Sequence, residues 1–450
     1  MNVFLPSLRR ATYFDLINQP SQSTALLGLS CFILLLPFGR LSELGVLLCL
    51  LSSANFLFGR RANQTHEKPA LRAALTCWAA IFAAALISSL DSTELQGSLS
   101  STFSSIRFAA LIIAAAQLNA AQRIFLGKLV GITLGIWCID ALLQALSGFS
   151  LGGRSNSDRI SGVFGDDNLK LGLIMATLAP IGLFVAQQFK LELLRPMPRL
   201  FCLMAVWLIF ATVILLAGAR AGWVMFALVS LLWGLRLSHY QLSKAVLGLV
   251  IALAAAISLA ALLNATNSRF AQRVDRTMAI FDVQTADFAL AGRVPIWQTA
   301  LQMAAAHPIN GVGVRAFRYA YPEFAQPDDP WVHAIPTENA AELHAIGASH
   351  PHQIFLEILA ETGLIGLALW AFAVVVLIRA WRNASPEQRA RAWPYGCALL
   401  VLTFPINTHT ALYSSFWAGV VWWLVALLSA NLDGADELAV SAVSPSRPNL

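Results

Sequence analysis

Residues 292–352 read GRVPIWQTALQMAAAHPINGVGVRAFRYAYPEFAQPDDPWVHAIPTENAAELHAIGASHPH. They form the later part of a polar island, residues 265–351, that has no apolar run of membrane length. Five of the eight histidines fall between His307 and His352. On both sides of the island, apolar runs alternate with short connectors rich in Lys and Arg. Runs of about 20 apolar residues are read as bilayer-spanning helices, because lipid offers the backbone no hydrogen-bonding partner. Twelve are predicted: 22–38, 42–58, 71–90, 102–119, 123–147, 168–189, 199–217, 220–237, 243–264, 353–380, 391–407 and 414–431. The expected fold is an all-α integral membrane protein. Nine spanning helices lie within 1–264, a partly helical loop covers 265–351, three helices lie within 352–431, and 432–450 is a disordered polar tail.

The composition supports this class. The chain is 57% hydrophobic and 12% charged, with a mean hydropathy of +0.66. Ordinary soluble domains carry charge on about a quarter of their residues. The first apolar run has no small-residue cleavage site and reads as a retained helix. Basic residues gather on alternate connectors: Arg9 and Arg10; Arg60, Arg61, Lys68 and Arg72; Arg123 and Lys128; Lys190, Arg195 and Arg199; Arg236 and Lys244; Arg379, Arg382, Arg389 and Arg391. The positive-inside rule puts these connectors and both termini in the cytoplasm, and the long loop outside. That bias explains the pI near 9.2 without nucleic-acid binding. All six cysteines lie in apolar runs, so neither a disulfide framework nor a Cys-based metal site is indicated.

Within the loop, residues 269–281 have helical spacing, with Arg269, Arg273 and Arg276 near one face. A second helix is predicted over 295–306, with Pro295 in its first turn. His307-Pro308 ends it, and Ile309–Gly313 forms a glycine-bearing turn. A third helix is predicted over 314–324, an irregular lid-like segment over 325–338, and a short helix near 338–345.

Several residues on the predicted exterior face could carry chemistry. His352 begins the tenth membrane helix. It reads either as an interfacial cap or as a general base, since imidazole accepts a proton near neutral pH. Arg220, in Ala217-Gly-Ala-Arg-Ala-Gly222, stands outside against the charge bias. It reads as a snorkelling anchor or as a phosphate clamp, because guanidinium grips phosphate with a bidentate fork. Arg293 is a second exterior Arg at a helix start, where free N–H groups favour an anion. Arg159 is a further anion or sugar contact, and Asp167 or Asn168 could simply cap the sixth helix. His344, His350 and His352 raise a metal site. With no Cys, and with Pro351 between two of them, no metal is expected. Asp328 and Asp329 read as solvated. Asp140, within the fifth helix, is an intramembrane acid and a functional candidate by default. No Walker loop, Rossmann fingerprint or Gly-x-Ser-x-Gly elbow is present, so no cytoplasmic nucleotide is implied.

Three motifs together resemble the bacterial O-antigen ligase family. His352-Gln353, then nine residues, then Gly363-Leu-Ile-Gly366 resembles the ligase signature. His307-Pro-Ile-Asn-Gly311-Val-Gly313 resembles a turn shared by ligases and O-antigen polymerases. Arg159 to Asn168 resembles their shared Arg, Gly-x-Phe and Asn pattern. The resemblance implies a metal-independent, inverting glycosyltransferase of the membrane-embedded type, without cofactor, in the bacterial inner membrane with its active site at the periplasmic face. It would move O-antigen glycan from undecaprenyl pyrophosphate to a sugar hydroxyl of lipid A–core. By the resemblance His352 is the base, with His350 an open alternative, and Arg220 and Arg293 hold the pyrophosphate. Arg159, His350, Gln353, Asn168 and Arg315 are expected to contact substrate. An O-antigen polymerase, a protein O-oligosaccharyltransferase and a secondary transporter are the competing readings.

Overall fold

The computed structural model describes residues 20–58, 68–154, 159–165, 168, 170–188, 196–239, 241–266, 271, 274–275, 290, 292–336, 343–405 and 410–434. The chain begins with α1 (Pro20–Leu34), α2 (Glu43–Phe58), α3 (Pro69–Leu90) and α4 (Leu95–Ser104). It continues with α5 (Ala109–Gln117), α6 (Ala120–Ser147), α7 (Lys170–Gln188), α8 (Pro196–Leu216), α9 (Arg220–Leu237) and α10 (Leu242–Thr266). The loop contributes α11 (Arg293–Ala306) and α12 (Phe317–Phe324). The chain ends in α13 (Ile354–Asn383), α14 (Pro386–Leu402) and α15 (Ser415–Asp433). Eight helices among the described residues are long and apolar enough to cross a membrane, and three more are apolar but shorter. Each predicted apolar run is occupied by helix, with two notable departures.

The run 102–119 stays helical but tightens midway. α4 ends at Ser104, a 3₁₀ turn covers Ser105–Phe108, and α5 resumes at Ala109. The run 391–407 is displaced toward the N-terminus. α14 starts at Pro386 because Ser385 and Gln388 form a reciprocal capping box, with the proline at the first helical position. These first turns are polar, so hydropathy misses them.

α7 and α15 form the centre of the bundle. Both are buried almost all round, as uniformly apolar helices must be. α7 packs against α6, α8, α9 and α14, while α15 packs against α3, α5 and α14. One end of the bundle collects basic residues and their partners. Asp433 accepts from the Ala70 and Leu71 amides at 2.7 and 2.6 Å, closing the end of α15 onto the start of α3. Arg391 donates to the Gly434 carbonyl at 2.8 Å, and Arg236 to the Ala390 carbonyl at 3.4 Å. Arg9, Arg10, Arg60, Arg61, Lys190 and Arg195 lie outside the described residues, as do the side chains of Arg199 and Lys244.

The opposite end, here the loop end, carries the polar island. Its helices at 295–306 and 314–324 appear as α11 and α12, the latter starting three residues later. The helix predicted over 269–281 lies largely outside the described residues, and so do Arg269, Arg273 and Arg276. The short helix predicted near 338–345 is corrected. Residues Leu343–Ile346 form strand β2, antiparallel to β1 (His333–Pro336), with His333 opposite Ile346. Alternation in Leu-His-Ala-Ile suits a hairpin as well as one helical turn, and four residues do not separate the two periods.

The loop has its own core. Ile296, Met303, Val312, Phe317, Tyr321 and Ala360 are buried together, apart from the main bundle core. Asp329, expected to be solvated, is buried and structural. It accepts from the Tyr321 hydroxyl and the Trp331 amide, both at 2.8 Å. Burial and the Asp329 carboxylate push the Tyr321 phenol up from its ordinary value.

α13 is interrupted at Gly363, whose φ of 62° and ψ of −161° divide it into an eight-to-nine-residue opening segment and a long outer helix. The interruption frees the Ala360 and Glu361 carbonyls and the Leu364 and Ile365 amides. The 307–313 turn satisfies all four. Val312 and Gly313 donate to Ala360 and Glu361 at 2.9 and 3.1 Å, while Leu364 and Ile365 donate to Pro308 and Ile309 at 2.8 and 3.1 Å. A Cβ on Gly311 would collide with the Glu361–Thr362 peptide, and one on Gly363 with the Ile309 carbonyl. The two glycine motifs read separately from the sequence are thus one interlocked unit.

Candidate active site

At the loop end Arg159 and Arg220, from distant stretches of chain, lie close enough to Arg293 for their charges to act on it. Arg159 is carried by the segment between α6 and α7. Asp140 on α6 accepts from the Leu151 amide at 2.7 Å, and Gln144 accepts from the Ser161 and Gly162 amides at 2.8 Å each. Asp140 is therefore a brace for this segment. Arg220 is the first residue of α9. The small residues around it serve close packing: a Cβ on Gly222 would stand 3.0 Å from the Gly172 carbonyl of α7. Arg293 is the first residue of α11, after Gly292 with φ 69°. Burial, then the charges of Arg220 and Arg159, push the Arg293 guanidinium down from its ordinary value to about 10. It stays charged at neutral pH. The same charges mark the three as neighbours, and two of them start helices whose free N–H groups add positive potential.

The histidines stand next to this cluster. The Trp297 indole, one turn after Arg293, donates to the Pro351 carbonyl at 3.0 Å. His350 and His352 flank that proline, with ring centroids 4.0 Å apart and planes inclined at 44°. His350 Nδ1 lies 2.9 Å from the Ser349 hydroxyl. His352 has φ 56°, the left-handed region that a residue other than glycine enters at a cost. Strain of this kind persists only where the surroundings impose it. Here the imposing contacts are the Trp297 bond on one side and helix α13 on the other.

The remaining predicted residues divide differently. Gln353 caps α13: its Oε1 accepts from the Leu356 amide at 2.6 Å, and its Nε2 donates to the Pro405 carbonyl at 3.2 Å. Asn168 braces the entry to α7, accepting from the Lys170 amide at 3.2 Å and donating to the Phe164 carbonyl at 3.1 Å. Asp167 and the His344 side chain lie outside the described residues. Arg315 sits apart from the arginine cluster, its amide bonded to Glu361 Oε2 at 2.8 Å. Among the described residues no group of three or more His, Cys, Asp or Glu is arranged to hold a metal ion.

Sequence reading missed four contributors. Trp297 looks like an apolar helix residue. Glu357 and Glu361 sit one turn apart on α13, both fully buried. Glu357 Oε2 accepts from the Leu412 amide at 2.7 Å, fixing the turn before α15, and Glu361 fixes the turn before α12. Their i, i+4 spacing inside a membrane-length run is the available signal. Lys170, at the loop end of α7, lies 4.2 Å from the Phe416 ring centroid.

The fold and this arrangement define a multi-pass helical membrane protein with a cationic cluster beside paired imidazoles at one end. Residues 204–371, from within α8 to within α13, match the family model described as O-antigen ligase. The match supports a ligase or polymerase type of function and a glycosyltransferase-like enzyme. No curated protein matches the chain.

Proposed function

We propose that the protein is an O-antigen ligase, transferring glycan from undecaprenyl pyrophosphate to a sugar hydroxyl of lipid A–core at the periplasmic face of the inner membrane. The observation that carries the reading is the nearness of Arg159 and Arg220 to Arg293, beside the Trp297-tethered His350-Pro351-His352 segment. Pyrophosphate is a good leaving group but a highly charged one. Three guanidinium groups and two helix N-termini in a desolvated setting offset the charge that develops as the glycosidic bond breaks. The acceptor hydroxyl oxygen attacks the anomeric carbon and His352 takes its proton. The C–O bond to the pyrophosphate breaks, and the electron pair leaves with undecaprenyl pyrophosphate. Attack opposite the leaving group inverts the anomeric centre. With this cation supply no metal is needed.

Beneath Arg220, apolar cavities of about 180 and 370 Å³ between α8, α9 and α10 share Trp207 and Ser230. Trp223, three residues after Arg220, lines the first. This path suits a polyprenyl tail hanging from a pyrophosphate at the arginines. The basic end of the bundle supports a cytoplasmic location for that end and for both termini, with twelve crossings. A polymerase would use the same arginines and histidine, and differs in its acceptor. Against the transporter reading, Asp140 Oδ1 holds the Leu151 amide of a loop, which gives this acid a structural use.

The test uses purified protein, undecaprenyl-pyrophosphate-linked glycan and lipid A–core, with EDTA and no nucleotide. Glycan on lipid A–core that is abolished by His352→Ala, with expression intact, supports the assignment. Longer lipid-linked chains without core attachment would make it a polymerase. Wild-type activity in His352→Ala would remove that residue as the base, and His350→Ala would then be compared.

A further inference from the structure

A second cavity at the loop end is built from different elements. It measures about 250 Å³, and its lining includes Trp78, Ser104, Arg107, Arg315, Tyr413 and Trp422. Its walls are α3, the α4–α5 segment, the turn before α12 and the start of α15. The lining holds two arginines, several hydroxyls and no carboxylate.

Three features mark it as more than a packing gap. The 3₁₀ turn Ser105–Phe108 borders the cavity, with the Ser104 carbonyl taken by Arg107 at 2.7 Å and the Ser105 carbonyl by the Trp78 indole at 3.3 Å. Next, Arg107 is paired with Glu43 at two points, Nε to Oε2 and Nη2 to Oε1, both at 3.0 Å, and donates to the Ser415 hydroxyl at 3.0 Å, so it forms a fixed, charge-balanced wall of the cavity. Finally, Arg315 has φ 62°, a strained conformation held by Glu361. The cavity is graded along the bundle. Arg315 lies at the loop end, whereas Trp78 is twelve residues before the end of α3, about 18 Å further in.

The opening segment of α13 joins this cavity to the histidines. It begins beside His352, and two turns later Glu361 anchors Arg315 on the cavity wall. We propose that the cavity receives the anionic sugar headgroup of the acceptor glycolipid, with Arg315 facing its phosphate or carboxylate groups, the Arg107–Glu43 pair forming a fixed polar wall, and the aromatic rings below facing its apolar part. This rests on the glycosyl-transfer reading and adds where the second substrate sits. It separates the acceptor from the donor, whose pyrophosphate belongs at the other arginines.

The test is binding to the full chain in nanodiscs, with lipid A–core and phosphatidylglycerol as competing probes. Two variants are used. Ser104→Leu fills the cavity, and Arg315→Gly removes the guanidinium while relieving the left-handed strain. Retained binding of inorganic pyrophosphate reports an intact arginine cluster and fold. The expected result is preference of the wild type for lipid A–core, weakened roughly tenfold or more in each folded variant through loss of charge-assisted contacts or of space. In the transfer assay the acceptor KM rises by a similar factor while the donor KM holds. Equal retention of phosphatidylglycerol overturns the proposal in favour of an ordinary phospholipid site. Unchanged lipid A–core binding in a folded variant overturns it outright. Variant-sensitive lipid A–core binding by a wild type that transfers no glycan upholds the cavity and removes the transfer reading.

Discussion

The Trp297 indole N–H donates to the carbonyl of Pro351 at 3.0 Å, fastening the helix that begins with Arg293 to the peptide that precedes His352. This bond couples the cationic cluster to the imidazoles. Trp297→Phe keeps an aromatic ring and deletes the donor, at a cost of about 1 kcal/mol in stability. Because a small misplacement of reacting groups costs far more in rate than in stability, transfer should fall about tenfold or more. Initial rates with both substrates saturating measure it. An unchanged kcat would show that the tether does not set the catalytic geometry.

Glu357 and Glu361 each hold a backbone turn from inside the bundle. Leucine at either position leaves buried amides unsatisfied, worth about 1–3 kcal/mol for each group. Glutamine keeps an acceptor. Thermal midpoints in detergent should therefore fall further for Glu357→Leu and Glu361→Leu than for the corresponding Gln variants. Equal losses would mean that shape, and not hydrogen bonding, is what these positions supply.

Gly311 and Gly363 interlock the 307–313 turn with the break in α13. Alanine at either meets backbone and must hold a left-handed conformation, which costs about 1–2 kcal/mol before the clash is counted. Gly135 on α6 has open space where a Cβ would stand, so Gly135→Ala is the matched control. The yield of monodisperse protein should drop for Gly311→Ala and Gly363→Ala and hold for the control.

Arg293 should make pyrophosphate binding pH-dependent at the alkaline end. Its folded value, about 10, lies below its ordinary value, so the folded protein releases this proton first as pH rises. Below about 10 the buried charge opposes folding, and that penalty fades as pH rises from about 10 toward the group's ordinary value. Bound pyrophosphate reverses the preference by stabilising the charged form. Affinity should hold from pH 7 to about 9, decline through about 10 with proton uptake on binding, and weaken with added salt. Isothermal titration in buffers of different ionisation enthalpy reads both. An Arg293→Gln protein with the same alkaline decline would assign it to another group.

Several of these features are legible in the order of residues alone. Arg220 and Arg293 stand out because each is a cation against the charge bias at a helix start. His352 stands out by its place at the mouth of a membrane-length run. By contrast, Gln353 and Asn168, expected to contact substrate, prove to be engaged in helix entry, a use common to polar residues at such positions. The β1–β2 hairpin, the 3₁₀ turn at Ser105–Phe108 and the structural use of Asp329 have no periodic signal strong enough to reveal them.

The sequence by itself determined that this is a helical membrane protein and which residues bear its unusual charges. Lipid cannot satisfy a bare backbone, so long apolar runs admit helix and little else. Only the tertiary structure decided that Arg159, Arg220 and Arg293 share one neighbourhood, and that two glycine motifs close on each other. It also decided that Arg315 belongs to a different cavity. Those outcomes depend on long-range hydrogen bonds and on close backbone approach between segments far apart in the chain. Local residue patterns carry no information about such distances.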